Sequence, residues 1–463
     1  MTLTGVATTT GSRIEDAAVD GFKAGLRGHV LRPGDDAYDE GRRLWNGMFD
    51  RRPALIARCT GAADVISAVT FARDHRLQVA VRGGGHSFPG HSICDGGLVI
   101  DLSPMKAIRV DPAARTARAQ PGVKWIDFDH ETQAFGLATT GGTVSDTGIA
   151  GLTLGGGLGW LSGKHGLTVD NLIAADVVTA DGRFLTASAT ENPDLFWGLR
   201  GGGGNLGVVT SFEYQLHRVG PTVLGGMVAY PLDRAKEVLR LYRDFNKAAP
   251  DELTTYAAFV NPPDGDTVVA LICCYAGPLD KGEQVVRPLR SLGRPLLDGL
   301  GPMPYVAQQR LFDGGFPTGA CYYTKGDFLP DLTDEAIEVF AEYAATKPSP
   351  ASGVLVQTTC GAASRVTSDA MAFAHRRFPY APVIVSEWLD AADAEKHVCW
   401  ARDFWRALHP FAGAGVYVND LSHDDGDRVR IAYGANYERL AALKKTYDPD
   451  NFFHLNPNIK PAP

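Results

Sequence analysis

The chain has 463 residues, 44% of them hydrophobic and 21% charged, with 45 Lys and Arg against 53 Asp and Glu. That length corresponds to about three domain-sized units, and the composition is that of a folded protein rather than a disordered one. A net charge of −8 argues against holding nucleic acid or an anionic membrane through bulk charge, and no apolar run approaches the roughly 18 residues of a membrane helix.

The opening residues lack the basic and apolar regions of a secretory signal. Seven scattered cysteines without a CxxC suit neither a disulfide framework nor a zinc site. A reducing cytoplasm is the expected compartment. After a short helix at 14–26, the chain sharpens into a buried strand at 54–57, an amphipathic helix at 62–76 carrying Val65, Val69 and Ala72, and a strand at 77–82. Short strands follow at 97–102 and 107–111, then a helix at 123–135. Residues 171–188 read as a hairpin turning at Asp181-Gly182, and 207–217 as a further strand. Without sustained βαβ alternation, this is α+β material. From about 225 to 415, helices at 233–249, 280–292, 333–346 and 391–408 alternate with antiparallel-type strands at 254–260, 267–275, 353–359 and 383–388.

Glycine is unevenly spread. Residues 81–210 hold 25 of the 53 glycines, in clusters that let backbone approach a ligand closely. Arg82-Gly83-Gly84-Gly85-His86-Ser87 ends a strand, so its successive N–H groups form an anion nest. That is how an acidic protein holds a diphosphate without a basic patch. A second cluster spans Gly148 to Gly159, and a third spans Gly201 to Gly207. The third contains a formal GxGxxG at Gly202, Gly204 and Gly207, but a helix-like segment precedes it and a strand follows. A dinucleotide-binding βαβ unit needs the reverse, so that reading is rejected. No GxxxxGK[ST] occurs either.

Taken in order, VRGGGHSFPGHS, GLVIDLSPM, QPGVKW, TGIAGLTLGGGLGWLSGKHGLTVDNL and RGGGGNLGVVTSFEY resemble the FAD-binding domain of the vanillyl-alcohol oxidase/p-cresol methylhydroxylase (PCMH) superfamily. The tail, with YGANYERL and YDPDNFFHLNPNI, resembles its berberine bridge enzyme-like branch of FAD-linked oxidases. The resemblance implies an FAD-binding domain over 1–219, its PCMH-type core at about 50–219, and a substrate domain over 220–415 with an antiparallel sheet covered by helices. A C-terminal segment, 416–463, returns to the first domain. It further implies FAD bonded covalently through His86. Arg82, Gly83, Gly84, Gly85, Ser87 and Gly90 would cradle the pyrophosphate. Gly142, Thr143, Gly148, Gly151, Gly155, Asn171 and Val209 would line the rest of the channel, with Tyr433 and Asn436 returning to the flavin ring. Val144 stands where many relatives carry a second, cysteinyl link, so attachment through histidine alone is expected. Thr147 matches a gate position beside the ring, and its small size favours oxygen access.

On the substrate side, the resemblance places Val383 where some relatives carry a catalytic base. Glu387, four residues on, shares its strand parity. Tyr323 with Lys325 nearby, beside Tyr433, is the preferred base, because a tyrosine needs a neighbouring positive charge to act at neutral pH. The expected function is oxidation of a hydroxyl- or amine-bearing small molecule by hydride transfer to flavin, with O2 as acceptor and H2O2 as product. The alternatives are a dehydrogenase using another acceptor and a non-catalytic flavin- or sugar-binding protein. The expected partners are a small-molecule substrate and O2, with no nucleic acid, membrane or metal.

Overall fold

The computed structural model describes residues 6–7, 13–262 and 265–463; residues 1–5 and 8–12 of the opening segment considered for a secretory signal lie outside them. Strands Leu55–Arg58, Leu98–Asp101 and Val79–Arg82 pair in parallel, with His29–Leu31 antiparallel at the outer edge. The helix Ala62–Asp74 buries Val65, Ala68, Val69 and Ala72, one stripe at helical spacing, in the same core as the strands. One crossover unit is present, because parallel neighbours cannot be joined by a tight turn and need the intervening helix. A second sheet is antiparallel, in the order Phe184–Ser188, Leu172–Val178, Val208–Gln215, Thr116–Ala119, Ile108–Asp111.

The chain passes the Gly220–Pro221 peptide and enters an eight-stranded antiparallel sheet. Its path runs Leu297–Asp298, Thr222–Pro231, Val268–Tyr275, Leu253–Val260, Gly353–Thr358, Tyr380–Trp388, Cys321–Gly326, with the eighth strand, Gly301–Pro304, also paired with Thr222–Pro231. Strand alternation divides the residues between two faces. Val228, Leu271, Phe259, Val356, Ile384 and Tyr323 pack with the helices Ala235–Asn246, Asp334–Ala345 and Ala394–Leu408. Leu355, Val383 and Val385 face the other way, toward the first domain. The fold is therefore the expected α+β arrangement of an FAD-type domain beside a helix-covered antiparallel sheet. The strand Thr222–Pro231 escapes sequence reading because Gly225 and Gly226 interrupt it. A Cβ on Gly225 would stand 2.1 Å from Gln308 Oε1, so packing demands what strand propensity disfavours.

The tail is pinned to the first domain by a buried lysine. Lys444, on the helix Tyr437–Tyr447, donates to the carbonyls of Asn205 and Phe453 at 2.8 Å each and to Asp448 at 2.6 Å. Three acceptors compensate the burial of its charge, and they fix the tail against the loop that carries the third glycine cluster.

Candidate active site

A cleft of about 350 Å³ lies between the domains. Its floor begins where the strand Val79–Arg82 ends. The backbone N–H groups of Gly84, Gly85, His86 and Ser87 donate to no acceptor among the described residues. Opposite them, the Gly148 backbone closes in: a Cβ on Gly84 would sit 2.5 Å from Gly148 Cα, and one on Gly83 2.8 Å from the Pro121 carbonyl. Only glycine permits that approach. Gly203, Gly204 and Gly207 with Val209 extend the lining, and Leu455, Asn456 and Pro457 of the tail close it. No Lys or Arg lines the cleft among the described residues. Uncommitted main-chain donors on an elongated, largely apolar channel fit an FAD, whose diphosphate takes the amides and whose ring takes the apolar wall.

His86 is pinned in place from two sides. Trp45 stacks on its ring at 4.2 Å between centroids, and Tyr322 stacks on Trp45 at 3.9 Å. The adjacent Asn46 is fully buried and locks this aromatic tier across the domains, donating to the carbonyls of Phe88 and Tyr322 and accepting from the Tyr322 N–H. The His86 Nε2 is buried, has no hydrogen-bond partner and stands 3.6 Å from Asp146 Oδ2. Burial lowers the His86 pKa, with Asp146 pulling the other way, which favours the neutral ring. Burial opposes ionisation of Asp146 too, but the hydrogen bond from Lys124, with the His86 ring nearby, outweighs it and holds that carboxyl at about 2. The Lys124 ammonium lies 2.5 Å from Asp146.

The far end of the cleft is walled by Phe88, Phe312, Phe316, Leu355, Val383 and Val385. Into it face Gln357, whose Oε1 is buried without a partner, and Asp420. Asp420 sits on the turn Val418–Asp420, beside Gly326: a Cβ there would come 3.2 Å from Asp420 Oδ2. Burial raises the Asp420 carboxyl to about 7, and the Arg428 charge offsets this only in part, being already committed to Asp425 and Asp327. Among the described residues Asp420 is the one carboxylate in the cleft lining.

The structure brings together Gly83, Gly84, Gly85, His86, Ser87, Gly142, Thr143, Val144, Thr147, Gly148, Gly151 and Val209 around this cleft. Other expected residues stand elsewhere. Arg82 turns away and pairs with Asp101, Nη2 to Oδ2 at 2.8 Å, anchoring the strand end. Gly90 lies against the Phe49 ring, and Gly155 lies against Asn419. Asn171 donates to the carbonyls of His165 and Leu167 at 2.9 Å each. Asn436 donates to those of Ser368 and Met371.

The expected base is also corrected. Tyr433 is buried behind the cleft, where its hydroxyl donates to the carbonyls of Gly202 and Pro457 at 3.2 Å and accepts from Asn205. Tyr323 and Lys325 do meet, but on the helix-covered face of their strand. The Tyr323 hydroxyl lies 2.8 Å from Asp424, and Lys325 donates to Asp424 and Asp425 at 3.0 and 2.6 Å. Parity gives the cleft side to Tyr322 instead. Burial raises the Tyr323 pKa, with the Asp424 bond adding to it, the opposite of what a base requires. Glu387 pairs in register with Tyr322 at the rim outside the cleft lining. Its Oε2 is buried and unpartnered, and burial lifts the carboxyl to about 7.

Sequence reasoning missed Trp45, Gln357 and Asp420. The run VYVND, just ahead of the recognised tail motifs, was the available signal for Asp420. Among the described residues no group of His, Cys, Asp and Glu is placed to hold a metal ion, and no helix is long and apolar enough to cross a membrane.

Known proteins share this arrangement. Residues 53–188 match the family model described as FAD binding domain, and 416–460 match the one described as berberine and berberine like. An FAD-linked oxidoreductase of Dictyostelium discoideum is 35% identical over 96% of this chain and 97% of its own. The (R)-6-hydroxynicotine oxidase of Paenarthrobacter nicotinovorans is 32% identical over 94% and 97%. The crystal structure of 6-hydroxy-D-nicotine oxidase from Arthrobacter nicotinovorans superposes with a TM-score of 0.86 at 31% identity, covering 94% of this chain and 98% of that one. The chain belongs to the berberine bridge enzyme-like family of FAD-linked oxidoreductases.

Proposed function

We propose that this FAD-linked oxidoreductase is an oxidase of a small, largely apolar molecule bearing an O–H or N–H next to a C–H. The flavin when bound supplies a hydride acceptor, and O2 takes both electrons to leave as H2O2. Gly84 to Ser87 hold the diphosphate with their uncommitted N–H groups. His86, neutral and oriented by Trp45, is the attachment point, and Val144 offers no thiol for a second link. Thr147 lines the cleft beside Gly148 and leaves room for O2. The substrate O–H or N–H proton passes to Asp420, the carboxylate in the lining, while Phe312, Phe316 and Val385 exclude water around it. The observation that carries this reading is the convergence on one cleft of free backbone donors, the His86 imidazole and the Asp420 carboxylate.

The test is reoxidation. Flavin reduced photochemically without oxygen is mixed with air-saturated buffer, and its absorbance is followed. Rapid return of the yellow band, with one H2O2 per flavin, is expected. Reoxidation over many minutes would instead mark a dehydrogenase with another electron acceptor.

A further inference from the structure

The ion pair beside His86 belongs neither to the diphosphate cradle nor to the substrate end. Asp146 stands on a turn, where the Thr147 N–H donates to the Val144 carbonyl at 3.1 Å. Neighbouring elements hold this turn in place. The Trp125 and Ile126 N–H groups donate to the carbonyls of Thr147 and Ser145 at 3.0 and 2.8 Å. Asp313 accepts from the Ser145 N–H and hydroxyl at 2.8 and 2.6 Å. Lys124, the residue before the helix Trp125–Gln133, donates to Asp146 Oδ1 at 2.5 Å, while Asp146 Oδ2 lies 3.6 Å from His86 Nε2. One carboxylate thus stands between a lysine and the imidazole. The distance to His86 is too long for a hydrogen bond, so what passes between the two is charge. Against burial, Lys124 keeps the carboxylate ionised, and the stacked Trp45 fixes the ring beside it.

An imidazole nitrogen that gives its lone pair to carbon takes on positive charge, shared with the other ring nitrogen. At His86 burial opposes that charge, Asp146 favours it and Lys124 opposes it from further off. We propose that Asp146 promotes the bonding of FAD to His86 by stabilising the imidazolium that forms as the ring attacks flavin carbon 8α. This role rests on the reading of His86 as the attachment point. In the step one proton leaves the 8α methyl group for solvent, and the pair of the broken C–H bond stays on the flavin. An imidazole nitrogen bonds to the carbon, and the ring then gives up its N–H proton. O2 takes the electron pair and, with two protons, leaves as H2O2. Asp146 touches no reacting atom; it is a positioning residue that acts through the ring.

The test follows attachment itself. Full-length chain from riboflavin-limited cells is mixed with saturating FAD in air. The covalent adduct is counted against time by intact mass of the denatured protein, and quenching of flavin fluorescence reports the FAD held before attachment. Asp146→Asn is expected to slow attachment about tenfold to hundredfold, the effect of one opposite charge at this range, with FAD binding within about twofold of wild type. Asp146→Ala serves in its place should the Asn variant fail to fold, and Asp146→Glu is expected to recover part of the rate. Lys124→Met leaves the carboxylate's charge undivided and is expected to attach FAD at least as fast as wild type. A carboxylate that merely anchored the turn through Lys124 would make both substitutions slow. The proposal is overturned if loss of the Asp146 charge leaves attachment at the wild-type rate, or if Lys124→Met is slowed as much as Asp146→Asn. A wild-type chain that quenches FAD yet stays at its bare mass would remove the covalent reading itself, and this role with it.

Discussion

His86 and Tyr433 show how surroundings decide what a buried polar ring can do. The His86 ring is neutral, stacked and free at Nε2; the Tyr433 hydroxyl is consumed by two carbonyls and an amide. Tyr433→Phe is therefore expected to lower stability by about 1 kcal/mol through lost hydrogen bonds while leaving turnover within a few-fold. Loss of turnover by 10²-fold or more, the cost of removing a general base, would restore it to the chemistry. Asp420 carries the opposite expectation. Its carboxyl sits at about 7 and must be ionised to accept a proton. With any compound that bleaches the flavin, kcat/KM should rise with pH through about 7 and lose that limb in Asp420→Asn. A pH profile unchanged by the substitution contradicts the assignment. The sequence indicated the glycines because a ligand's demand on backbone is written in side-chain absence, whereas His86 was pointed to only by the family resemblance. It misplaced the base because Tyr323 and Lys325 look catalytic side by side, and only strand parity shows which face they share.

At the scale of elements, close approach of two loops is the weak point. The strand ending at Arg82 and the helix beginning at Ile149 bring Gly84 and Gly148 into direct contact. Gly84→Ala forces a Cβ into a space 2.5 Å from Gly148 Cα, and neither backbone can give way cheaply. The expected result is a loss of about 1–3 kcal/mol in urea unfolding and a purified protein depleted of flavin. Gly426→Ala is the control, since it lies outside the cleft lining and nothing lies within 4 Å of its added Cβ; equal losses in the two would refute the contact argument. Elements with apolar periodicity, such as Ala62–Asp74 and Ala394–Leu408, were legible from the sequence. The strand Thr222–Pro231 and the parallel order of the first sheet were not, because both are fixed by partners distant in sequence.

For the whole molecule, burial of unpaired carboxylates sets how stability varies with pH. Asp129 is fully buried, accepts one bond from Gln309 at 2.8 Å, and is lifted to about 7 by burial, with that bond opposing. Its folded pKa lies above the unfolded value of about 3.9. The folded state thus holds the extra proton between those limits. The stability from this group is full below about 4 and is lost as pH rises through about 7. Asp129→Asn, which cannot ionise, should gain in thermal midpoint relative to wild type between about pH 5 and pH 8; a constant difference across that range would remove Asp129 from the account. The change from a glycine-dense first half to alternating strands and helices was visible in composition and pattern, and the role of each half came from the family resemblance. The cleft between them was not, since its walls come from both halves and from the tail.

The proposed function rests on free backbone amides cradling the diphosphate of one FAD and on His86 bonding it covalently. Intact-mass measurement of the denatured protein tests it directly. The expected mass is that of the chain plus one FAD less two hydrogens, falling to the bare chain in His86→Ala. A wild-type chain at its bare mass, or an adduct that survives His86→Ala, would contradict it.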